Sequence, residues 1–189
     1  ECGVCEGDGP SDGFDCDGIP LEFSLPLHGG NNLMSFYILP EDNSVINVLS
    51  DIQENIIAVS GTAVSGEPTS AQYFFEENEW IGSLAELNIS SGYWMRVAED
   101  DTLDVTGHSY DPNRVYNLNS GANLVSFPSM GSVDISAGLP DDIENNVLAI
   151  IGEGSSYLNT EDGWEGSLMD FEALHGYWII TDDDISFSY

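Results

Sequence analysis

The sequence predicts a mainly β protein: two tandem, homologous, small β-rich domains, each with a short helix, after an irregular acidic N-terminal segment. Three observations predict it. Short apolar or alternating runs are bounded by Gly, Asn, Asp and Pro, as strands are. A long stretch of the chain repeats itself. With 41% hydrophobic and 11% aromatic residues, the chain can also bury a core despite its high charge.

The internal repeat divides the chain. The run Gly-x-Asn-Leu-x-Ser-Phe begins at Gly30 and again at Gly121, and Gly-Tyr-Trp begins at Gly92 and again at Gly176. With a seven-residue insertion at 62–68 in the first copy, 19 of 60 aligned positions are identical. We therefore predict an acidic Cys/Gly-rich linker, a first β-rich repeat and a second β-rich repeat, at 1–20, 21–107 and 115–189.

Most of each unit is expected to form short strands. The opening strand of the first unit lies at 23–27, and the second unit closes with a strand at 185–189. Five further strands of the first unit are predicted at 33–38, 56–60, 71–75, 93–97 and 103–106.

One stretch in each unit has helical periodicity. In the first unit Val45, Val48, Leu49 and Ile52 have the spacing of a single helix face, and a residue at 42–44 can cap its start. In the second unit Pro140 shortens the helix, which we expect to begin near Leu139. A further helical turn is expected at 83–87 and at 167–171.

The charge of the chain is almost entirely negative, with 34 Asp and Glu against 2 Lys and Arg and a formal net charge of -32. Without a basic patch, binding to nucleic acid or to an anionic membrane is excluded, and no apolar run is long enough for membrane insertion. High salt screens the repulsion between carboxylates, and divalent cations bind them directly. We therefore expect a secreted, extracellular or cell-surface protein, with a halophilic cytosolic protein as the alternative.

All the cysteines, Cys2, Cys5 and Cys16, lie in the N-terminal segment. A structural zinc site needs four ligands, and a second Cys pair is missing. A disulfide between Cys16 and either Cys2 or Cys5 is the preferred interpretation. The remaining cysteine is then free or pairs with another chain.

The same segment carries carboxylates in the setting that calcium uses. Asp8, Asp12, Asp15 and Asp17 alternate with glycines that let the backbone turn tightly, and calcium takes several oxygen ligands on such a backbone. The segment is therefore predicted to bind calcium. The alternative is a flexible, solvated acidic linker.

Acidic runs also recur within the repeats, after each Gly-Tyr-Trp strand. Asp100 and Asp101 belong to the first run, and Asp183 and Asp184 to the second. Adjacent carboxylates in a loop before the last strand can bind calcium, or they can form a charged turn that discourages edge pairing. Both interpretations stay open.

Two resemblances follow from these residues. The Cys/Asp/Gly-rich run from Glu1 to Gly18 is similar to linkers of secreted marine bacterial proteins, which themselves resemble thrombospondin type 3 calcium repeats. The doubled unit, through Gly-x-Asn-Leu-x-Ser-Phe and Gly-Tyr-Trp, resembles a β-rich repeat of large bacterial secreted and surface proteins. These resemblances imply an extracellular location and a modular construction, and they imply no activity.

Nothing in the sequence predicts an enzyme. The histidines, His28, His108 and His175, do not recur between the units, since His28 aligns with Asn119 and His175 with Ser91. We expect them to be surface or turn residues. No nucleophile–base motif is present.

The aromatic residues separate into two groups. Those present in both units are interpreted as shared core rather than as a platform for sugars, namely Trp80 with Trp164, Tyr93 with Tyr177 and Trp94 with Trp178. Those without a counterpart are expected on contact surfaces, namely Tyr37, Phe74, Tyr110 and Tyr116. The alignment also pairs Tyr73 with Tyr157.

The sequence therefore favours an extracellular structural protein that associates with itself into a calcium-stabilised filament, sheet or surface layer. Modular repeats and strands at both ends of the doubled unit suit such an assembly. The alternative is a carbohydrate-binding or adhesive module of a larger secreted protein, with polysaccharide as its partner.

Overall fold

The computed structural model of the chain describes residues 21–63, 66–111 and 113–189. The linker residues predicted to bind calcium, and the three cysteines, lie outside the described residues.

The first unit contains β1 (Leu21–Leu27), β2 (Gly30–Ser35), β3 (Ile38–Leu39), helix α1 (Val45–Val48), β4 (Ile56–Thr62), β5 (Pro68–Phe74), β6 (Glu79–Gly82), β7 (Gly92–Val97) and β8 (Asp101–Ser109). The second unit contains β9 (Tyr116–Leu118), β10 (Gly121–Ser126), β11 (Ser132–Asp134), helix α2 (Ile135–Gly138), β12 (Val147–Gly152), β13 (Ser155–Thr160), β14 (Gly163–Gly166), β15 (Asp170–Glu172), β16 (Gly176–Thr181) and β17 (Ile185–Phe187).

Each unit is built on a five-stranded antiparallel sheet with the same strand order. The order is β2-β7-β4-β5-β6 in the first unit and β10-β16-β12-β13-β14 in the second. Both sheets also have a register shift at the same place, opposite β7 between Ile56 and Ala58 and opposite β16 between Val147 and Ala149. The predicted mainly β fold is confirmed.

A smaller sheet lies over each large one. In the first unit β8 pairs with β1 and β3, and in the second β17 pairs with β9. Alternate residues of the central strands point into the space between the sheets. Tyr93, Met95 and Val97 do so from β7, and Tyr177 and Ile179 from β16, and all are at most 2% exposed. Each unit therefore has its own apolar core.

The predicted helix of the first unit is confirmed as α1 followed by a 3₁₀ turn at Ser50–Ile52. Ser44 caps it, because its Oγ accepts a hydrogen bond from the amide of Asn47 at 3.3 Å. The expected apolar face is buried, and Leu49 has no exposed surface.

The predicted start of the second helix near Leu139 is wrong. Helix α2 ends at Gly138, and Asp134 caps it through the amide of Ser136 at 2.8 Å. Leu139 is extended, with ψ 117°, because a residue that precedes proline disfavours the helical region. Pro140 therefore ends a helix rather than beginning one.

The helical turns expected at 83–87 and 167–171 are also wrong, because both segments are extended. Their main-chain groups bond to the segment around each helix start rather than locally. The Ala85 carbonyl accepts from the Val45 amide at 2.9 Å, and the Met169 carbonyl accepts from the Ile135 amide at 2.9 Å. Non-local pairing replaces the local pattern that the sequence suggested.

The alignment of Tyr73 with Tyr157 is wrong as well. Tyr73 lies opposite Trp80, whereas Tyr157 lies opposite Gly166, in the position that Ala71 occupies in the first unit. The β5–β6 connection is longer than the β13–β14 connection, and this difference shifts the register. Both tyrosines still contact the tryptophan of their unit, with ring centroids 5.5 and 5.0 Å apart.

Candidate functional site

The two units dock against each other through equivalent residues. The amide of Ser35 in β2 donates to the Leu174 carbonyl at 2.8 Å, and the amide of its counterpart Ser126 donates to the Ser90 carbonyl at 3.2 Å. The β-bridges beside them are also equivalent, Met34 with His175 and Ser91 with Val125. Each unit thus offers the same surface to the other, as partners do in a twofold-symmetric dimer.

The same two serines also use their side chains across the interface. Ser35 Oγ donates to the His175 carbonyl, and Ser126 Oγ donates to the Ile89 carbonyl, each at 2.7 Å. Neither serine has any exposed surface. Each therefore makes both a main-chain and a side-chain bond to the other unit.

Glycines allow this close approach. A Cβ atom added to Gly92 would lie 2.8 Å from the Val125 carbonyl oxygen, and one added to Gly176 would lie 2.8 Å from the Met34 carbonyl oxygen. The added atom at Gly176 would also lie 3.3 Å from the Cα of Gly92, so the two glycines face each other. The centre of the interface therefore requires the absence of a side chain.

The structure explains why the Asn of Gly-x-Asn-Leu-x-Ser-Phe and the Tyr of Gly-Tyr-Trp recur in both units. Asn32 closes the β1–β2 turn, since its side chain accepts from the His28 amide and donates to the His28 carbonyl, and Asn123 does the same for the turn at Asn119. The buried hydroxyl of Tyr177 accepts from the Glu172 amide at 2.7 Å. Burial raises the pKa of Tyr177, so the hydroxyl stays neutral.

Two grooves flank the interface in equivalent positions. The first has a volume of about 360 Å³ and the second about 250 Å³. The first is lined by His28, Glu153, Glu172 and His175. The counterparts that line the second are Asn119, Thr62, Asn88 and Ser91. One groove has ionisable side chains at all four places, and the other has neutral ones.

The first groove is crossed by an ion pair that joins the units. His28 Nε2 lies 2.6 Å from Glu153 Oε1, and Glu153 Oε2 accepts from the Leu33 amide at 2.7 Å. His28 Nδ1 lies 3.2 Å from the Gly29 carbonyl. Both partners of the ring are acceptors, so the imidazolium is favoured, and the bond to Glu153 raises the pKa of His28 above 6.5.

His28 and His175 are exposed, as expected of surface residues, and both line the first groove. The ring of His175 is anchored locally, with Nδ1 3.0 Å from the Ala173 carbonyl. The signal in the sequence is that neither histidine recurs at the aligned position of the other unit. Such a difference marks a place where the two units are not equivalent, and it does not by itself indicate that the residue lacks a function.

The second groove continues into a cavity of about 420 Å³ between the sheets, and the two share Thr62 and Leu124. The half-buried Trp94 and Trp178 lie on its walls. Trp94, Trp178 and their sheet neighbours thus form an inter-unit surface rather than the core of either unit. Tyr93 and Tyr177 lie in the cores, as predicted, and Trp80 and Trp164 pack against them partly buried.

The aromatics without counterparts have mixed positions. Phe74 and Tyr110 are 40% and 41% exposed, as a contact surface requires. Tyr37 packs on Phe23 with ring centroids 5.3 Å apart. Tyr116 is buried in the second core, and its hydroxyl lies 2.8 Å from Ser126 Oγ.

Arg114 fixes the connection between the units. Its Nη1 donates to the Ile89 carbonyl and its Nε to the Asp111 carbonyl, both at 3.0 Å. The guanidinium lies 5.8 Å from the Tyr110 ring centroid. Burial lowers the pKa of Arg114. The Ile89 carbonyl thus receives two bonds from the second unit and its connection.

The acidic runs tie the last strand of each unit to the turn before β2 or β10. Asp100 Oδ1 accepts from the Gly29 amide at 2.8 Å, and Asp184 Oδ1 accepts from the Ser120 amide at 2.8 Å. Asp101 accepts from Asn55 Nδ2 at 2.8 Å. Asp183 accepts from the Asp184 amide at 2.9 Å. These carboxylates shape the loops, and calcium binding by them stays a prediction.

In the described part of the chain, no three His, Cys, Asp or Glu side chains are grouped closely enough to hold a metal ion. None of the helices in these residues has the length and apolar character that crossing a bilayer requires.

No family model matches the chain, and neither the curated proteins nor the solved structures contain a match to it.

Proposed function

We propose that this protein is an extracellular structural protein whose doubled unit is a building block of a calcium-stabilised filament, sheet or surface layer. The observation that carries the proposal is the docking of the two units through residues that recur in both. Ser35, Ser126, Gly92 and Gly176 belong to the repeated signatures, and all four lie at the interface. This contact is closed, so it makes the two units one block, and contacts from one block to the next must use other surfaces.

The charge of the chain supports a role for calcium in joining one block to another. With a formal net charge of -32, two copies repel each other at low ionic strength. Calcium bound between carboxylates of neighbouring copies removes that repulsion and adds ligand bonds. The linker carboxylates and the acidic runs at Asp100 and Asp184 supply oxygens for this contact.

Electron microscopy of the full chain tests the proposal. In millimolar calcium we expect ordered filaments or sheets, which fray when EDTA removes the ion. Dispersed single-chain particles in both conditions would contradict the structural proposal.

Matched charge variants identify the carboxylates that act. One variant carries D100N, D101N, D183N and D184N, since Asn keeps an oxygen that can accept the loop hydrogen bonds. Its control carries E76Q, E77Q, E161Q and D162N, which remove the same charge from the β5–β6 and β13–β14 turns. A third variant carries D8N, D12N, D15N and D17N. We expect the control to assemble, and equal behaviour of all three would exclude a specific calcium contact.

A further inference from the structure

We propose that the neutral groove between the units binds an uncharged polysaccharide. The groove consists of the second groove and the cavity that continues it past Thr62 to Trp94 and Trp178. The proposal concerns a binding site within one chain and does not depend on assembly.

The lining of this groove is unusual in its charge. Neither cavity is lined by any Asp, Glu, Lys, Arg or His, although Glu86 lines an adjoining pocket that shares Asn88 and Ser91 with the groove. Acidic residues make up 34 of the 189 in the chain, so a lining of this size would carry about four if they were spread evenly. The equivalent groove on the other side of the interface carries Glu153 and Glu172. An uncharged ligand that binds in the neutral groove therefore displaces water from no ionised side chain, whereas in the other groove it would desolvate Glu153 and Glu172.

The side chains present are those that bind sugars. Tryptophan offers an apolar ring face with an N–H group, and the C–H face of a sugar ring packs on such a surface. Hydroxyl and amide groups both donate and accept, as the hydroxyls of a sugar do. The cavity that holds the two tryptophans is also lined by Ser60, Thr62, Thr69 and Ser70. The groove that leads to it is lined by Asn88 and Asn119.

One polar atom of the lining has no partner. Thr69 Oγ1 is buried and makes no hydrogen bond within the described part of the chain. Thr69 lines the cavity beside Trp94. Because water does not reach this oxygen, a ligand hydroxyl can bond to it only after the Thr69 side chain turns toward the cavity, and the missing hydrogen bond favours such a turn.

The equivalent groove has an ion pair at the same place. There Glu153 of the second unit reaches His28 and the Leu33 amide of the first. At the matching places of the neutral groove stand Thr62 and Asn119, which form no ion pair. The neutral groove therefore lacks the bridge that crosses its counterpart.

The test uses the full chain in EDTA, so that a failure to assemble does not affect the result. Binding to cellulose, chitin and mannan is measured by pull-down and affinity electrophoresis, with alginate as an anionic polysaccharide. We expect binding to at least one neutral polysaccharide and at least tenfold weaker binding to alginate. Binding to none of the neutral polysaccharides, or equally tight binding to alginate, would overturn the proposal.

Reciprocal variants locate the site. T62E introduces into the neutral groove the residue of the other groove, and we expect at least tenfold weaker binding. E153T is the matched control, and we expect it to bind as the unaltered chain does. Unchanged binding by T62E would exclude this groove.

A measurement on the unaltered chain covers the case in which T62E does not fold. Bound polysaccharide should protect Trp94 and Trp178 from oxidation by N-bromosuccinimide, with Trp80 and Trp164 as internal controls. Mass spectrometry of the peptides reads each tryptophan separately. Equal oxidation of Trp94 and Trp178 with and without the bound polysaccharide would also contradict the proposal.

Discussion

The two grooves at the inter-unit interface occupy equivalent positions and differ in almost every ionisable residue. Between them, at the centre, Gly92 faces Gly176 and Ser35 matches Ser126, and the main-chain contacts are equivalent even where the side chains differ, as at Met34 and Val125. At the rim, Glu153 stands where the other unit has Thr62. Docking has constrained the centre because main chains touch there, whereas the rim has diverged. The difference teaches that the repeated residues hold the two units together, whereas a ligand-binding site is better sought at the rim.

Substitution of the central glycines should have the largest effect. We expect G92A and G176A each to lower the free energy of unfolding by about 1–3 kcal/mol, because the added Cβ would lie 2.8 Å from a carbonyl oxygen of the other unit. Urea denaturation measures the change.

Gly152→Ala is the matched control for the glycine variants. An added Cβ there would meet only ordinary contacts of 3.4 Å or more, so we expect little change. Because both substitutions push apart the same pair of main chains, the loss in the double variant should differ from the sum of the single losses. Full additivity would mean that the two glycines do not face each other in solution.

The two interface serines should differ by a smaller amount. S35A removes one hydrogen bond across the interface, so we expect a loss of about 1 kcal/mol. S126A also removes the Ser126 partner of the buried Tyr116 hydroxyl, which keeps Arg114 as a neighbour, so its loss should be larger, about 2 kcal/mol.

Urea denaturation of S35A and S126A in parallel measures this difference, with Ser186→Ala, an exposed serine on β17, as the control. A larger loss for S35A than for S126A would show that Tyr116 finds another partner.

The ion pair of the first groove should have the smallest effect, visible as a pH dependence. His28 has a raised pKa in the folded chain, mainly because it bonds to Glu153, with Gly29 and Asp100 adding to the rise. The stability it contributes is therefore fully present below pH 6.5 and is lost as the pH rises through the raised pKa. Because both side chains are partly exposed, salt should weaken it.

Thermal unfolding between pH 6 and pH 9 measures this dependence. H28N should remove the part of the slope due to His28, and H175N serves as the control. A wild-type slope that H28N leaves unchanged would show that the pair does not form in solution.

The sequence predicts the parts of the fold that depend on local pattern. Strands β4 and β7, helix α1 and its cap all follow from periodicity and capping residues. The predicted start of the second helix is wrong because a proline can begin a helix or follow its end. The extended conformation of Leu139 shows that Pro140 follows the end of the helix. The segments at 83–87 and 167–171 contain helix-forming residues, but their main chains pair with distant residues, and no local pattern reports this.

The candidate site was harder to predict. The alignment of the two units identifies the repeated residues. It does not show that these residues face each other, because docking depends on how two whole units pack. The interpretation of shared aromatics as core was right for Tyr93 and Tyr177. It missed Trp94 and Trp178 because a residue that recurs in both units can belong to their interface as well as to their cores.

The positions of the two arginines have a consequence for proteolysis. Trypsin-like proteases cut only after Lys or Arg, so Arg96 and Arg114 mark the only sites of cleavage in the chain. Arg96 lies in β7 between two hydrogen-bonded neighbours, and Arg114 is held to Ile89 and Asp111. Cleavage at either site requires an extended segment to leave the structure. The rate of tryptic cleavage after Arg96 therefore reports how often the first unit unfolds locally. The rate of cleavage after Arg114 reports how often the connection between the units detaches from the structure.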